Sequence, residues 1–336
     1  MSPHLSRSVS GIRTIVVAFG GNAVSRAKER GTHAEQLANI RVMCEQVLPL
    51  IGAGHRLVII HGNGPQVGAL ALQAEAGKAL GVPDQPFDVL GAMTQGQIGY
   101  LIQQTLGNLL ASEVVGRGTN EGLPAWPPAV ASVVTQVLVD PADAAFLHPT
   151  KPIGPFYDQE LAQRLAAEKG WTVVQDSDRG WRRVVPSPRP IEVIEADAIR
   201  GLIAAGAIVV AAGGGGVPVV RNDQGRLLGV EAVIDKDLAA ERLAALVHAD
   251  TLLLITGVPR IGLNYGTPNQ RFLEKLTLDE ARRYLAEGQF PPGSMGPKVR
   301  ASIGFVENGG TEAIVTAPER LAAALRGEDG TRIVLN

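Results

Sequence analysis

The sequence predicts an α/β fold in which parallel strands are connected by helical crossovers. Segments with the character of strands alternate along the chain with segments that have helical apolar spacing, which is the pattern of such folds. Most of the apolar strand-like runs end in glycine. In an open α/β sheet this places flexible backbone at the carboxyl edge, where ligands bind. With 336 residues, of which 45% are hydrophobic, the chain is long enough to bury a sizeable core.

The first elements repeat the order strand, glycine turn, helix. A β-branched run predicts a strand over residues 14–19, which ends at Gly20 and Gly21. Helical apolar spacing predicts a helix over residues 33–50, and an apolar run predicts the second strand over residues 56–61. Later in the chain the pattern predicts strands at residues 208–212, 251–255 and 312–315, and a helix at residues 238–247.

The composition changes between about residues 135 and 190, where prolines are frequent and where Trp171 and Trp181 lie. This stretch is predicted to contain a strand-like run at residues 133–139, a polar helix at residues 159–169, and a hairpin-like pair at residues 171–175 and 182–185. We therefore expect a single domain over residues 1–336, with a subdomain inserted at residues 135–190.

Charge and composition exclude several classes of function. The chain has 31 basic and 33 acidic side chains, which disfavours general nucleic-acid binding. Cys44 is the only cysteine, so neither an internal disulfide nor a multi-thiolate metal site can form. The apolar stretches are shorter than a membrane span, and residues 1–13 have no apolar signal-peptide core. We expect a cytoplasmic enzyme that binds neither nucleic acid nor membrane.

Glycine turns follow the first two predicted strands. Gly20-Gly21-Asn22 follows the first strand, and Gly62-Asn63-Gly64 follows the second. A single glycine pair is most simply a tight turn between a strand and a loop. Since neighbouring strand ends lie side by side, two such turns present backbone amides and an amide side chain to the same point, which favours an anion pocket.

Four consecutive glycines, Gly213-Gly214-Gly215-Gly216, follow the apolar run at residues 208–212. Ordering so many glycines is costly, so close approach of a phosphate is the favoured interpretation, and a plain loop is the alternative. The run matches neither the GxGxxG fingerprint nor the GxxxxGK[ST] loop, which argues against the commonest nucleotide-binding folds.

Three lysines lie where they could assist phosphoryl transfer. Lys236 is flanked by Asp235 and Asp237 before a helix, where either aspartate alone is most simply a helix cap. Lys298 lies where a glycine loop leads into a helix, which would place it near a phosphate. Alternatively, it is an exposed lysine in the first turn of that helix. Lys151 lies on a loop bracketed by prolines, and on local grounds it is a solvated surface charge.

No protein-held metal site is expected. His33, His55, His148 and His248 show no ligand spacing and have no matched set of carboxylates or thiols. A GxSxG nucleophile elbow is also absent from the sequence.

Taken together and in order, these motifs resemble those of the carbamate kinase branch of the amino acid kinase family. The similarity extends from about Thr14 to the C-terminus, which is nearly the whole chain. The segments that carry it are Ala18-Phe19-Gly20-Gly21-Asn22-Ala23, His61-Gly62-Asn63-Gly64-Pro65-Gln66-Val67-Gly68, Thr94-Gln95-Gly96-Gln97-Ile98-Gly99-Tyr100, residues 149–157, Arg183-Val184-Val185-Pro186-Ser187-Pro188, and residues 213–218, 231–237 and 293–298.

The resemblance implies a three-layer αβα sandwich around a mainly parallel sheet, a small protruding subdomain and a homodimer. It also implies reversible phosphoryl transfer between ATP and carbamate, with Mg²⁺ bound together with ATP or ADP. A place in arginine metabolism is expected, and the breakdown of cyanate or of purine-derived nitrogen is the alternative. Other branches of the family carry a lysine just before the first glycine pair, where this chain has Ala18 and Phe19. The resemblance gives the task of that lysine to Lys151.

Individual residues receive roles by the same resemblance. Lys151, Lys236 and Lys298 would neutralise phosphate oxygens, and Asp237 would orient the lysines. The residues expected to hold carbamate and the transferring phosphoryl group are Gly20, Gly21, Asn22, Gly62, Asn63 and Gly64. The residues expected to bind the nucleotide are Gly213, Gly214, Gly215, Ile255, Thr256, Gly257, Met295, Gly296 and Lys298.

One stretch departs from the family pattern. After Thr256-Gly257-Val258 the relatives usually have an acidic residue and often a tyrosine, whereas this chain has Pro259-Arg260-Ile261-Gly262. This change leaves open the alternative that the chain is a catalytically weak nucleotide-binding regulator. The intact lysine motifs argue against that alternative. A kinase of another small carboxylate or acid is the second alternative, and a lysine in the first strand would favour it.

Overall fold

The computed structural model describes residues 11–26, 29–114, 127–176 and 180–335. Its helices are α1 (His33–Gly52), α2 (Gly64–Lys78), α3 (Phe87–Val114), α4 (Gln159–Lys169), α5 (Ala196–Ala204), α6 (Lys236–Leu246), α7 (Leu278–Ala286), α8 (Met295–Glu307) and α9 (Leu321–Arg326). Its strands are β1 (Thr14–Ala18), β2 (Arg56–Ile60), β3 (Val130–Ser132), β4 (Gln136–Val139), β5 (Lys151–Tyr157), β6 (Thr172–Gln175), β7 (Trp181–Val185), β8 (Pro190–Val193), β9 (Ile208–Val210), β10 (Val217–Arg221), β11 (Leu227–Gly229), β12 (Thr251–Ile255), β13 (Gly262–Leu263), β14 (Arg271–Phe272), β15 (Lys275–Thr277), β16 (Glu312–Thr316) and β17 (Thr331–Val334).

The central sheet has eight strands in the order β15-β17-β16-β12-β1-β2-β9-β3. All neighbours are parallel except β16 and β17, which pair antiparallel. β1 lies at the centre, where Val16 is opposite Leu252 of β12 and Val58 of β2. Strands covered on both faces consist of continuous apolar residues, as they do here. The predicted α/β class with a mainly parallel sheet is confirmed.

Successive residues of β1 face two different apolar clusters, one on each side of the sheet. Ile15 and Val17 belong to a cluster with Ile40 of α1 and Ile102 of α3. Val16 and Ala18 belong to the other, which includes Leu243 of α6 and Val299 of α8. Because side chains alternate along a strand, both faces of the sheet are buried. The molecule therefore has the helix, sheet and helix layers of an αβα sandwich.

Two strands differ from their predicted bounds for reasons that lie far away in the sequence. Of the predicted run 133–139 only residues 136–139 form a strand, β4, while β3 ends before the run at Ser132. The chain is interrupted between them because Gln95 binds the backbone of Thr135, accepting from its N–H at 2.8 Å and donating to its carbonyl at 3.1 Å. The predicted strand 208–212 ends at Val210. Ala212 has a φ of 49°, in the left-handed region, and its N–H donates to Thr135 Oγ1 at 2.9 Å.

The predicted insertion at residues 135–190 contains two structural parts. Strands β5, β7 and β6 form their own antiparallel sheet, with α4 connecting β5 to β6. In contrast, β4 joins β8, β10 and β11 in a four-stranded sheet, so this part is shared with segments outside the insertion. We call the three-stranded sheet and α4 together the subdomain.

Close backbone contact fixes the subdomain to α2. A Cβ atom on Gly68 of α2 would lie 3.0 Å from Cα of Gly154 in β5, and Gly154 has a φ of +70°. A side chain at position 68 would therefore push β5 away from α2, whereas one at position 154 would be strained by the left-handed backbone conformation. None of the helices within the described ranges has the length and apolarity needed to cross a membrane.

Candidate active site

A cleft of about 670 Å³ opens at the carboxyl ends of β1, β2 and β12. The start of β5 forms one of its walls, which brings the subdomain over the sheet edge. The predicted site residues that line the cleft are Gly20, Gly21, Gly62, Asn63, Gly64, Lys151, Gly214, Lys236, Asp237, Ile255, Thr256, Gly257 and Lys298.

The two glycine turns meet at the floor of this cleft. A Cβ atom on Gly62 would lie 2.7 Å from both Cα and N of Gly21, so only glycine allows the two turns to approach so closely. Asn22 lies in the short turn Gly21–Ala23. The predicted convergence of the two strand ends is therefore observed.

The side chain of Asn63 is held from behind the cleft. Its Nδ2 donates to Oγ1 of Thr94 at 2.8 Å, and Thr94 donates in turn to the carbonyl of Gly91 at 2.6 Å. Thr94 is fully buried in α3. Asn63 also stands at the N-terminus of α2, whose first residue, Gly64, lines the cleft.

The run of four glycines has a packing explanation that sequence reasoning undervalued. Side chains at Gly213, Gly214, Gly215 and Gly216 would overlap His61, Asn63, Ile234 and Val137 respectively. The N–H groups of Gly214, Gly215 and Gly216 donate to the carbonyls of His61, Ala212 and Gly213 at 2.8, 3.0 and 3.1 Å. Gly214 lines the cleft, whereas Gly213 and Gly215 are buried in its wall. The roles of these glycines toward a nucleotide stay predictions.

Two lysines share one buried carboxylate at the start of α6 and α8. Asp237 accepts from Nζ of Lys236 at 2.6 Å through Oδ1 and from Nζ of Lys298 at 2.8 Å through Oδ2. Burial alone would raise the pKa of Asp237, but the two ammonium groups outweigh it and lower the pKa to about 2. Burial, followed by repulsion from Lys236, lowers the pKa of Lys298. The predicted orienting role of Asp237 agrees with this geometry.

Lys151 reaches the same place from the subdomain. It is the first residue of β5, and its Nζ donates to Oδ2 of Asp235 at 2.9 Å. Asp235 also caps α6, since its Oδ1 accepts from the N–H of Asp237 at 3.0 Å. The local interpretation of Lys151 as a solvated surface charge was therefore wrong. The capping role considered for Asp235 is confirmed.

Three helices begin at the cleft. The N-terminal turns of α2, α6 and α8 contribute Gly64, Lys236 and Lys298 to its lining. Unpaired N–H groups and the helix dipole make such ends favourable for anions. Their convergence beside three ammonium groups makes the cleft suited to phosphate groups.

Residues beyond β12 and β16 form the remaining wall. Ile255 at the end of β12 and the following Thr256 and Gly257 line it, and the N–H of Thr256 donates to the carbonyl of Thr316 at 2.9 Å. Glu319, which follows β16, also lines the cleft. Met295 packs against the apolar core and Gly296 is buried beside Pro291, so neither lines the cleft, and their nucleotide roles stay predictions.

Sequence reasoning missed several residues of the lining. They come from loops and from α1: Arg26, Asn39, Val42, Met43, Val233, Ser294, Ala317, Pro318 and Glu319. For Pro318 and Glu319, a usable signal was their place just after an apolar strand end.

The stretch that departs from the family pattern lies outside this cleft. The guanidinium of Arg260 forms ion pairs with Glu274 at 2.8 Å and Asp329 at 3.1 Å. Ile261 is fully buried, and its N–H donates to Oγ1 of Thr331 at 2.8 Å. The altered residues thus have structural partners of their own.

A second cleft, of about 730 Å³, opens at the opposite edge of the sheet beside the amino ends of β1 and β12. Arg13 and Arg332 in its wall both form ion pairs with Glu312. Arg200 pairs with Asp197. Its larger volume does not make this second cleft the functional site, because the converging glycine turns and the three lysines lie at the other edge of the sheet.

Comparisons with known proteins agree with this site. The model of the amino acid kinase family matches residues 13–317. The chain is 51% identical to the carbamate kinase of Thermococcus kodakarensis over 325 residues, covering 96% of this chain and 99% of the relative. It is 49% identical to the carbamate kinase of Pyrococcus furiosus, with 96% and 99% coverage. The structure of carbamate kinase from Giardia lamblia bound to AMP-PNP matches with a TM-score of 0.87 and 41% identity, covering 97% of this chain and 99% of that one. The chain therefore belongs to the amino acid kinase family, and within it to the carbamate kinases.

Proposed function

We propose that this chain catalyses reversible phosphoryl transfer between ATP and carbamate, forming ADP and carbamoyl phosphate. The observation that carries the proposal is the position of Lys151, which enters the cleft from the subdomain beside Lys236 and Lys298. Fully buried Phe19 stands just before the first glycine pair, where a kinase of another small acid would be expected to have its lysine. The assembled lysines likewise favour an enzyme over a nucleotide-binding regulator.

The floor of the cleft suits a small acyl phosphate. Backbone around Gly21 and Gly62 and the side chain of Asn63 surround a space that three helix N-termini face. We assign carbamate and the transferring phosphoryl group to this end. The wall formed by Ile255, Thr256 and Gly257 is assigned to the nucleoside.

Alignment and charge neutralisation supply the catalysis in this proposal. A carbamate oxygen is already anionic, so it attacks the γ-phosphorus of ATP without a general base, and the bond from that phosphorus to the bridging oxygen of ADP breaks. Lys236, Lys298 and Lys151 neutralise charge that spreads over the phosphoryl oxygens in the transition state. Asp237 keeps two of them aimed into the cleft.

The donor groups of the cleft fit a metal that arrives with the nucleotide. Among the described residues, no group of three or more His, Cys, Asp or Glu side chains could hold a metal ion. Asp235 and Asp237 are each engaged by lysine ammonium groups. We propose that Mg²⁺ is held mainly by the nucleotide phosphates and supplies further charge neutralisation there.

A homodimer, a cytoplasmic location and a place in arginine metabolism are part of the same proposal. Support for the dimer comes from α3, where Val89, Met93, Gly96 and Tyr100 are exposed. Their spacing places them on one face of the helix, and glycine there permits close approach of a second helix. Sedimentation of the wild type and of Gly96→Arg tests this, since the variant should sediment as a monomer.

The test of the function is a coupled assay of ATP formation from ADP and carbamoyl phosphate with Mg²⁺. We expect a rate far above that with acetyl phosphate, and loss of activity when a chelator removes the divalent cation. Equal rates with the two phosphate donors, or no ATP from either, would contradict the substrate assignment. Stoichiometric metal remaining after extensive chelation would contradict the role given to Mg²⁺.

A further inference from the structure

Asp235 has a separate partner for each of its carboxylate oxygens. Oδ1 caps α6 through the N–H of Asp237, and Oδ2 accepts from Nζ of Lys151 at 2.9 Å. The side chain of Asp235 is 16% exposed and that of Lys151 is 34% exposed. One carboxylate thus joins the first turn of α6 to a lysine 84 positions earlier in the chain, on the subdomain.

The other ion pairs of the cleft leave Asp235 as the carboxylate that can position Lys151. Lys236 and Lys298 share Asp237, whose two oxygens are both taken. Within the described part of the chain, Asp235 is the only carboxylate within ion-pair distance of Lys151. The flexible lysine stem gives the ammonium no fixed position of its own, so the carboxylate decides where it stands.

We propose that Asp235 is a positioning residue that holds the Lys151 ammonium over the transferring phosphoryl group. The inference rests on the proposed phosphoryl transfer, in which rate depends on where positive charge is placed. Asp235 acts through Lys151 and takes no part in bond making. Because it is fixed as a helix cap, it gives the mobile side chain a rigid reference point.

The variant Asp235→Asn separates the two tasks of this residue. Asparagine caps helices about as well as aspartate, so α6 and the melting temperature should be preserved. The ion pair is lost, and we expect kcat for ATP formation to fall about tenfold, in line with one charge-assisted hydrogen bond. KM for carbamoyl phosphate should not rise, because removing a negative charge does not weaken anion binding. An unchanged kcat would overturn the proposal.

A second background tests whether Asp235 acts through Lys151. In a Lys151→Ala protein, adding Asp235→Asn should change kcat by less than about twofold, because the partner is already gone. A further tenfold fall there would show that Asp235 acts independently, which overturns the proposal. Glu75→Gln is the matched control, since it breaks the ion pair of Lys169 in the same subdomain. This control should retain the wild-type kcat.

Lysine acylation followed by peptide mass spectrometry tests the inference without any activity. Lys151 should be labelled faster in Asp235→Asn than in the wild type, because its ammonium is no longer held. Glu75→Gln should increase the labelling of Lys169 and leave that of Lys151 unchanged. Equal labelling of Lys151 in wild type and Asp235→Asn overturns the positioning role. Failure of the wild type to use carbamoyl phosphate overturns the proposed function instead, so the two failures are distinguishable.

Discussion

Asp237 and Lys298 form an ion pair of 2.8 Å in which both side chains are almost completely buried, at 5% and 9% exposure. The other oxygen of the same carboxylate binds Lys236, so one negative charge serves two positive ones. Such a group is stable only as a set, because removal of one member leaves buried charge without a partner. The pair thus connects the chemistry of the cleft to the stability of the fold.

We expect Asp237→Asn to lower both stability and activity. Breaking a buried ion pair by removing one partner costs about 3–5 kcal/mol in comparable sites. Loss of the carboxylate also lowers the pKa of Lys298 further, so the alkaline limb of the pH–rate profile should move to lower pH. Denaturant titration and the pH dependence of kcat measure the two effects. Asp279→Asn is the control, since Asp279 is 80% exposed, and an equal effect there would contradict the argument.

We expect Lys151→Ala to slow ATP formation by about 100- to 1000-fold, by analogy with loss of one preorganised donor. The melting temperature should change little, since Lys151 is a third exposed and its ion pair is partly screened. Lys275→Ala is the control, because Lys275 is exposed on β15 at the far end of the sheet. Near-wild-type turnover and KM for carbamoyl phosphate in Lys151→Ala would return this lysine to the class of surface charges.

Gly62 and Gly64 are two positions apart, and substitution by alanine should change the melting temperature at one of them and not at the other. A Cβ on Gly62 would lie 2.7 Å from backbone atoms of Gly21, so Gly62→Ala must separate the two turns and should lower the melting temperature clearly. No atom of the described residues beyond its chain neighbours and its own helix backbone lies within 4 Å of a Cβ on Gly64, so Gly64→Ala should keep the wild-type melting temperature. Its KM for carbamoyl phosphate should rise if a phosphate approaches this backbone. Equal melting temperatures for both variants would show that the turns are less tightly packed than described.

The sequence predicted those features of the fold and of the site that depend on nearby residues. Apolar runs, most of them followed by glycine, located β1, β2, β9, β12 and β16, because strand character and turn character are encoded within a few positions. The position of the cleft followed from the rule that parallel strands place ligands at their carboxyl edge. The capping of α6 by Asp235 was likewise readable from the residues beside it.

What the sequence could not supply were contacts between distant positions. The break between β3 and β4 depends on Gln95, which lies 40 positions from Thr135. The role of Lys151 could not be predicted from the residues beside it, because its partner Asp235 is distant in the sequence. Only the resemblance to a family indicated that role. The glycines after β9 were attributed to a phosphate, although His61 and Asn63 already exclude side chains there.

His61 should make the protein sensitive to acid. Burial lowers its pKa from 6.5 to about 4, so the folded protein keeps this ring neutral. Between these two values the unfolded chain binds a proton that the folded chain does not. Stability should therefore decrease as the pH falls, by about 1.4 kcal/mol per pH unit from this group. Above pH 6.5 the ring is neutral in both states and has no such effect.

The variant His61→Gln isolates this contribution. Unfolding free energies measured from pH 6.5 down to 4.5 should fall less steeply in the variant than in the wild type, whatever its absolute stability. His55→Gln is the matched control, because His55 is only partly buried and the pKa of its ring is also lowered. We expect a smaller change of slope there. Identical slopes in wild type and His61→Gln would mean that the ring takes up its proton in the folded state.

Thr94 offers a test of how strongly catalysis depends on residues behind the cleft. Its hydroxyl accepts from Nδ2 of Asn63 at 2.8 Å and donates to the carbonyl of Gly91 at 2.6 Å, so it fixes an amide that lines the cleft. Thr94→Val keeps the shape but removes both hydrogen bonds, leaving the amide of Asn63 free to turn. We expect KM for carbamoyl phosphate to rise about tenfold, because one buried hydrogen bond contributes about 1 kcal/mol and an unpaired partner costs more. KM for ADP should stay the same, since the wall assigned to the nucleoside lies at Ile255 to Gly257.

Thr94→Ser is the control, because serine restores the hydroxyl. The wild-type KM for carbamoyl phosphate should return in this variant, which would not happen if the effect came from loss of packing alone. If Thr94→Ser behaves like Thr94→Val, or if both KM values rise together, Thr94 acts through the stability of α3 and not through Asn63.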